Sequence, residues 1–314
     1  MNFTLKQLRY VEASGRLGSI ANAATELNIS QSSITAAIGA LESQLGFDLF
    51  KRTPAKGIRV TPAGQKALRL IRAFIIQSRH FETEMISIGG ATTGNLRVSC
   101  YATAAPSFLP PILKSFKVSH PSTSITLLEG NMEATLAYLV NGEADLAFAY
   151  DLMTDTRHDF TPLFGAPPHA LLAADDPLTK NESVSLFELI DRPMVMLDLP
   201  RTRDYFSSIF EPLGLQPNVA HSTRSAEIVR ALVSGGHGYS IMNICPPGYR
   251  HADSPVCAMP IRDGLQVPVF GIMTPSGLRQ PNIVQAFIDQ CVGLAAKGSF
   301  DEIIVKQPDS STTK

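Results

Sequence analysis

The chain has 314 residues, 44% of them hydrophobic, and a formal net charge of −1. That length can bury at least two cores, which excludes a lone small binding module. The N-terminus lacks the charged-then-apolar layout of a signal peptide and no apolar run approaches a membrane span, so a cytoplasmic chain with no membrane partner is expected. The near-neutral total hides an asymmetry: residues 1–88 hold 11 Lys+Arg against 6 Asp+Glu, net +5, whereas the remainder holds 16 against 22, net −6. A basic N-terminal module followed by an acidic body points to a polyanionic partner for the former.

In chain order, Leu5, Leu8 and Val11 give the first helix, from Leu5 to about Arg16, its apolar face. Ser19 stands where an N-cap belongs, and Ile20, Ala23, Ala24 and Leu27 share one face of a second, short helix. Its two alanines are small enough to let a third helix cross closely. Ser30 caps that third helix, where Ile34, Ile38, Leu41 and Leu45 form the buried stripe. Gln31, Ser32, Ser33 and Thr35 face outward at its N-terminal end. These short hydrogen-bonding side chains suit a helix lying in the major groove of double-stranded DNA, against base edges and phosphates. A small helical bundle with polar surfaces is the plainer alternative.

The segment Leu49–Gly64 raises the odds of a DNA-binding module. Leu49-Phe50 is an apolar anchor, and the run to Val60 forms a ribbon whose turn Gly57 permits. Lys51, Arg52, Lys56 and Arg59, with Thr53, supply a density of cations and hydrogen-bonding groups suited to phosphates. Thr61-Pro62 then opens another helix, threonine as cap and proline at its first position.

The stretches LKQLRYVEASGRLGSIANAATELNISQSSITAAIGALESQLGFDLFKRT and VTPAGQKAL resemble the N-terminal domain of LysR-type transcriptional regulators. The likeness is continuous through helices, wing and following helix. It departs at the third helix, where the family usually carries a basic residue shortly after its serine or threonine and this chain has Ala36-Ala37 after Thr35. Gln31, Ser33, Thr35 and the wing therefore carry more of any operator preference.

From Pro62 to about Ile88 a long helix places Ala67, Leu70, Phe74, Phe81 and Ile88 at near-heptad spacing, interrupted by Gln77 and Glu84. Such a seam calls for a partner helix, so a homodimer or homotetramer is expected, with paired recognition helices on a palindromic operator. Gly89–Gly94 reads as a hinge.

From Asn95 onward strands alternate with helices. LRVSCY, SITLLE, ADLAFAY, ALLAA, PMVMLD, NVAHST, GYSIMN and VPVFGIMT have strand character, and amphipathic helical stretches separate many of them. This order implies parallel sheets covered by helices, in two α/β lobes. The fold class is therefore α/β with an N-terminal all-α winged helix-turn-helix domain. The resemblance implies that the body is a two-lobed, periplasmic-binding-protein-like α/β effector domain. The expected boundaries are 1–61 for the winged helix-turn-helix, 62–88 for the linker helix and 89–94 for the hinge. Lobe I takes 95–161 and 267–300, lobe II takes 162–266, and 301–314 is a disordered tail.

Strand-to-helix crossings nominate effector contacts at an interlobe cleft. Tyr101 and Thr103 end the first strand, Asn131 and Met132 follow the second, and Tyr150 ends the third. Across the cleft Pro200, Arg201 and Thr202 open one helix, and Arg224 and Ser225 another. The family commonly has a serine or threonine where Thr103 stands and often a threonine where Met132 stands. Helix N-termini with Arg201 or Arg224 would suit an organic, possibly aromatic, carboxylate. Ordinary capping and surface charge remain the alternative for each residue.

Catalytic signatures are missing from the sequence: no glycine-rich phosphate loop, HExxH or GxSxG occurs, and no metal-ligand spacing of His with Cys. No enzyme activity, cofactor or metal is expected. His169 and His221 could approach the cleft, but surface or core histidine is the simpler reading. Some members of the resembled family sense oxidants through a disulfide; here Cys100, Cys245, Cys257 and Cys291 are expected to be reduced thiols. The expected function is ligand-responsive transcription regulation, with RNA polymerase as a further candidate partner. Two rivals stay open: a cytoplasmic α/β solute-binding protein or enzyme with a helical dimerisation module, and a sequence-indifferent architectural DNA-binding protein.

Overall fold

The computed structural model describes residues 3–53, 57–88, 94–153, 158–249, 254–277 and 279–308. Two compact units divide the chain, Met1–Ala91 and Thr92–Lys314.

The first unit runs α1 (Leu5–Leu17), α2 (Ile20–Glu26), α3 (Gln31–Leu45), β1 (Phe50–Thr53), β2 (Gly57–Val60) and α4 (Pro62–Ile88). Side-chain caps start the first three helices: Thr4 accepts from the Gln7 amide, Ser19 from Asn22 and Ser30 from Ser33. Val11, Ala23, Ala24, Ile34, Ile38 and Leu41 meet in one core with Leu49, Phe50 and Ile58 of the wing. The wing strands pair antiparallel, Phe50 opposite Val60 and Lys51 opposite Arg59. Gly57 has a φ of 77°, and a Cβ there would lie 2.7 Å from the Gly18 carbonyl oxygen. The same oxygen accepts from the Ile58 amide at 3.2 Å, so glycine alone satisfies both demands. On α3, Glu42 Oε1 accepts from the amides of Leu49 at 2.7 Å and Phe50 at 3.0 Å, fastening the helix to the wing.

Helix α4 differs from a simple exposed seam. Leu68, Ile71 and Ile75 join the core of their own unit, Ala67 packs partly against it, and Arg72 Nε donates to Glu12 Oε1 at 3.0 Å. Leu70, Phe74, Phe81 and Met85 stay exposed on another face. Two apolar faces coexist because residues three and four apart fill one side of the helix while the Leu70–Phe74 series fills the next. The Ile88 side chain and hinge residues 89–93 lie outside the described residues.

The second unit runs β3 (Asn95–Tyr101), α5 (Ala105–Ser119), β4 (Ser124–Gly130), α6 (Met132–Val140), β5 (Leu146–Tyr150) and β6 (His158–Gly165). It continues with β7 (His169–Ala173), α7 (Leu186–Leu189), β8 (Met194–Leu197), α8 (Thr202–Ser208), β9 (Val219–Thr223) and α9 (Ala226–Ser234). β10 (Ser240–Met242), β11 (Val256–Pro260), β12 (Val269–Pro275) and α10 (Asn282–Ala296) complete it.

Lobe I has the strand order β4-β3-β5-β12-β6, with β3 parallel to β4 and β5 but β12 antiparallel to β5 and β6. In lobe II, β7 lies antiparallel between β10 and β11, and β8 pairs parallel with β9. The expectation of parallel sheets is thus corrected to mixed ones. β6 and β12 are the outgoing and returning arms of the chain, and adjacent arms of opposite direction pair antiparallel. They stay paired through Gly165, and the Ala166 amide donates to the Pro268 carbonyl at 2.8 Å. The outward crossing therefore falls at Ala166 rather than near Thr161. β6 and β11 escape a pattern reading because Asp159 and Pro162 interrupt one and prolines flank the other, which an edge strand tolerates.

The expected disordered tail is also corrected. Asp301–Ile303 is a 3-10 turn, Ile303 and Val305 are buried, and the Ile303 carbonyl accepts from the Cys245 amide at 2.9 Å. Residues 309–314 lie outside the described residues. Replacing Glu42 by alanine strips two amides of their acceptor. Chemical denaturation should show a loss of about 1–3 kcal/mol.

Candidate nucleic-acid interface and effector cavity

The outer edge of α3 presents Gln31, Ser32 and Ser33 exposed and Thr35 half-buried. Ser30 is committed to its cap: its hydroxyl accepts from the Ser33 amide at 3.2 Å and lies 2.9 Å from Ser32 Oγ and 2.8 Å from Ser33 Oγ. Ser19 is likewise occupied by the Asn22 amide at 3.2 Å. Both serines shape the helix ends, and the reading edge is left to Gln31, Ser32, Ser33 and Thr35. On the wing, exposed Lys51 and Arg59 face each other across the strands. Like charges directly opposite weaken a hairpin. A polyanion bound over them would reverse that cost. Arg52 and Thr53 have described backbone on β1, and Lys56 lies outside the described residues. The Lys51–Arg59 pairing was not singled out beforehand because register, which sets it, depends on where the turn falls.

In the second unit a cavity opens at the carboxyl ends of strands from both lobes, where open α/β sheets bind ligands. Tyr101 ends β3, Tyr150 ends β5, Met132 starts α6 and Thr103-Ala104 lead into α5; lobe II supplies Leu197, Thr202, Tyr205, Phe206 and Met242, and Asn243 and Ile244 follow β10. The space left for an occupant is about 20 Å³, on the order of one water molecule. Tyr101 Oη and Thr202 Oγ1 meet at 3.1 Å between the lobes. Asn243 Nδ2 donates at 2.8 Å to the Ala166 carbonyl and at 2.8 Å to Tyr205 Oη.

Burial pushes the Tyr101 phenol up, partly opposed by hydrogen bonds from Thr103 and Thr202. Burial lifts Tyr150 well above the usual range, with neighbouring Tyr101 and Tyr205 adding to it. Tyr205 is pushed up to about 12 by burial. All three rings are neutral hydrogen-bonding groups at physiological pH.

Of the sequence-nominated residues, Tyr101, Thr103, Met132, Tyr150 and Thr202 come together on this cavity. The others stand elsewhere. Asn131 caps α6 by accepting from the Ala134 amide, and Ser225 caps α9 by accepting from Ile228. Pro200, Arg201 and Arg224 are exposed, with Arg201 at a positive φ of 62° before α8. No described residue lining the cavity carries a formal charge, so the expected arginine is not part of its wall. His169 and His221 do not line it either; His221 packs edge-on against His237. Tyr205 and Asn243 were missed, although GYSIMN ends at Asn243 just as ADLAFAY ends at Tyr150.

Residues 5–65 match the bacterial regulatory helix-turn-helix proteins of the lysR family, and residues 89–296 match the LysR substrate binding domain. The chain belongs to the LysR family of transcriptional regulators. As a LysR-family protein it is a DNA-binding regulator with an effector-binding domain, not an enzyme. The HTH-type transcriptional activator CmpR of Synechocystis sp. is 26% identical over 290 residues, covering 92% of this chain and 94% of the relative. The HTH-type transcriptional regulator CysB of Haemophilus influenzae is 26% identical over 248 residues, covering 76% and 75%. The crystal structure of HinK, a LysR family regulator from Pseudomonas aeruginosa, superposes with a TM-score of 0.61 at 30% identity, covering 94% of this chain and 100% of that one.

The four cysteines are free thiols, and Cys100, Cys245 and Cys291 are buried. Burial raises Cys100 to about 11 and Cys291 to about 12. These thiols and Tyr205 ionise later in the folded chain than in the unfolded one, so the folded state loses their contribution as pH rises through the folded values. Stability is expected to fall from about pH 9, where an exposed thiol titrates, towards 12. Thermal melts across that range test this. Cys100 and Cys291 should resist iodoacetamide at neutral pH until the chain unfolds.

Proposed function

We propose that this LysR-family regulator reads a palindromic operator with α3 and grips the flanking phosphates with the wing. The facing pair Lys51 and Arg59 carries this reading, because like charges directly opposite weaken a hairpin and a bound polyanion would relieve that cost. Gln31, Ser32, Ser33 and Thr35 are the candidate base-reading and phosphate-contacting side chains, with Arg52, Thr53 and Lys56 as further wing contacts.

A second copy covers the exposed Leu70, Phe74, Phe81 and Met85 of α4, since burying each such side chain is worth about 1.5–3 kcal/mol. Pairing through α4 would set two recognition helices on a two-fold axis.

The effector is a small organic molecule, with a carboxylate as the favoured polar end, taken into the interlobe cavity. Its oxygens would meet the hydroxyls of Tyr101, Thr103, Tyr150, Thr202 and Tyr205 and the amide of Asn243, with Met132 and Phe206 against its apolar part. Any such ligand exceeds the present space, so its binding selects a different arrangement of the lobes. That shift would bias how the paired DNA-binding modules are held, and with it promoter shape and RNA polymerase access.

Replacing both Lys51 and Arg59 by alanine should weaken binding to every DNA sequence alike. The slope of log K against log salt should fall by about two per protomer. Gln31→Ala should cost about 1–3 kcal/mol on the operator alone. Fluorescence anisotropy with operator and random duplexes at several salt concentrations reads both; equal affinity for the two duplexes would instead favour an architectural binder. Phe74→Glu with Phe81→Glu should turn a dimer into monomers in sedimentation velocity.

A further inference from the structure

Resting on the cavity as the effector site, we infer that the Tyr150 hydroxyl is the donor that selects the effector, a small molecule presenting an acceptor oxygen to it. Three phenols surround the cavity, and two are partnered. Tyr101 meets Thr202 at 3.1 Å, and Tyr205 accepts from Asn243 at 2.8 Å. Tyr150 is only 6% exposed and lines the cavity, yet its hydroxyl has no hydrogen-bond partner among the described residues.

The hydroxyl makes no hydrogen bond within its own fold, so phenylalanine would pack equally well at this position. Most of the ring cluster is phenylalanine: Tyr150 packs edge-on against Phe270 at 5.1 Å, and Phe108, Phe148, Phe164 and Phe287 fill the same core. Tyr101, the other tyrosine in this core, also stands at the cavity. The hydroxyl of Tyr239 is unpaired as well, but it is sealed in the lobe II core and lines no part of this cavity.

The surroundings restrict what Tyr150 can meet. No described residue lining the cavity is a cation or a carboxylate, so the ligand is recognised by neutral donors rather than by ion pairing. Helix α5 begins beside it at Ala104 with no side-chain cap, adding the partial positive charge of a helix start. A carboxylate or a carbonyl oxygen fits both features, and an amine fits neither.

The test compares the full-length wild-type chain with Tyr150→Phe by calorimetry and thermal melts. The probes are benzoate and phenylacetate for a carboxylate, benzamide for a carbonyl and toluene as the acceptor-free control. Tyr150→Phe should melt no lower than wild type without ligand. It should bind whichever oxygen-bearing probes the wild type takes at least about tenfold more weakly, while its response to toluene stays unchanged.

Equal affinity of both chains for the oxygen-bearing probes overturns the inference while leaving the cavity reading standing. Equal weakening for all probes, toluene included, also overturns it, by exposing a packing role. If the wild type takes none of the four, the cavity reading falls and the inference with it. Met132→Trp, which fills the cavity, separates that last case from binding elsewhere: a probe that still binds this variant is not in the cavity, and the same two conclusions fall.

Discussion

One carboxylate holds the DNA-binding unit in working order. Glu42 reaches from the last turn of α3 to the amides of Leu49 and Phe50, where the wing begins. Without that acceptor the strand could shift relative to the helix, and Lys51 and Arg59 would lose their fixed offset from Gln31 and Thr35. The constraint behind it is general: a polar group taken from water must find a partner. Elsewhere Asp145 accepts from the Arg97 amide at 2.9 Å, pinning β3 beside the start of β5. Asn243 Nδ2 donates to the Ala166 carbonyl and to Tyr205 Oη, tying the crossing chain to α8. Against this background the Tyr150 hydroxyl, which lines the cavity without a hydrogen bond to a described residue, is the group we assign to a ligand.

The surfaces assigned to partners share a physical trait, which is that each costs the isolated chain something. Lys51 and Arg59 stand opposite each other on a hairpin, where like charges are unfavourable. Leu70, Phe74, Phe81 and Met85 hold apolar surface in water. Natural folds keep such costs where binding recovers them. The two halves of α4 show the division clearly: Leu68, Ile71 and Ile75 stabilise the unit itself, and the neighbouring face is reserved.

The two-lobed unit owes its plan to the paired arms β6 and β12. Because the outgoing and returning chains run side by side at Ala166 and Pro268, lobe II is an insertion hung from two adjacent strands. The C-terminal segment contributes as well, since Ile303 and Val305 are buried in place of a loose tail.

Local pattern alone determined much here. The apolar spacing of Ile20–Leu27 and Ile34–Leu45, the caps Ser19 and Ser30, and the wing glycine specify a winged helix-turn-helix, because propensity, capping and periodicity act within a few residues. Strand-to-helix boundaries likewise placed Tyr101, Thr103, Met132, Tyr150 and Thr202 at the cavity. Only the tertiary structure decided what depends on residues far apart in sequence. It set Lys51 opposite Arg59, made the sheets mixed, turned one face of α4 inward and brought Tyr205 and Asn243 to the interlobe cavity. It also moved Arg201 and Arg224 off the cavity wall. Long-range pairing leaves no local trace in the chain, because its free energy comes from burial and hydrogen bonds that exist only once distant segments have met.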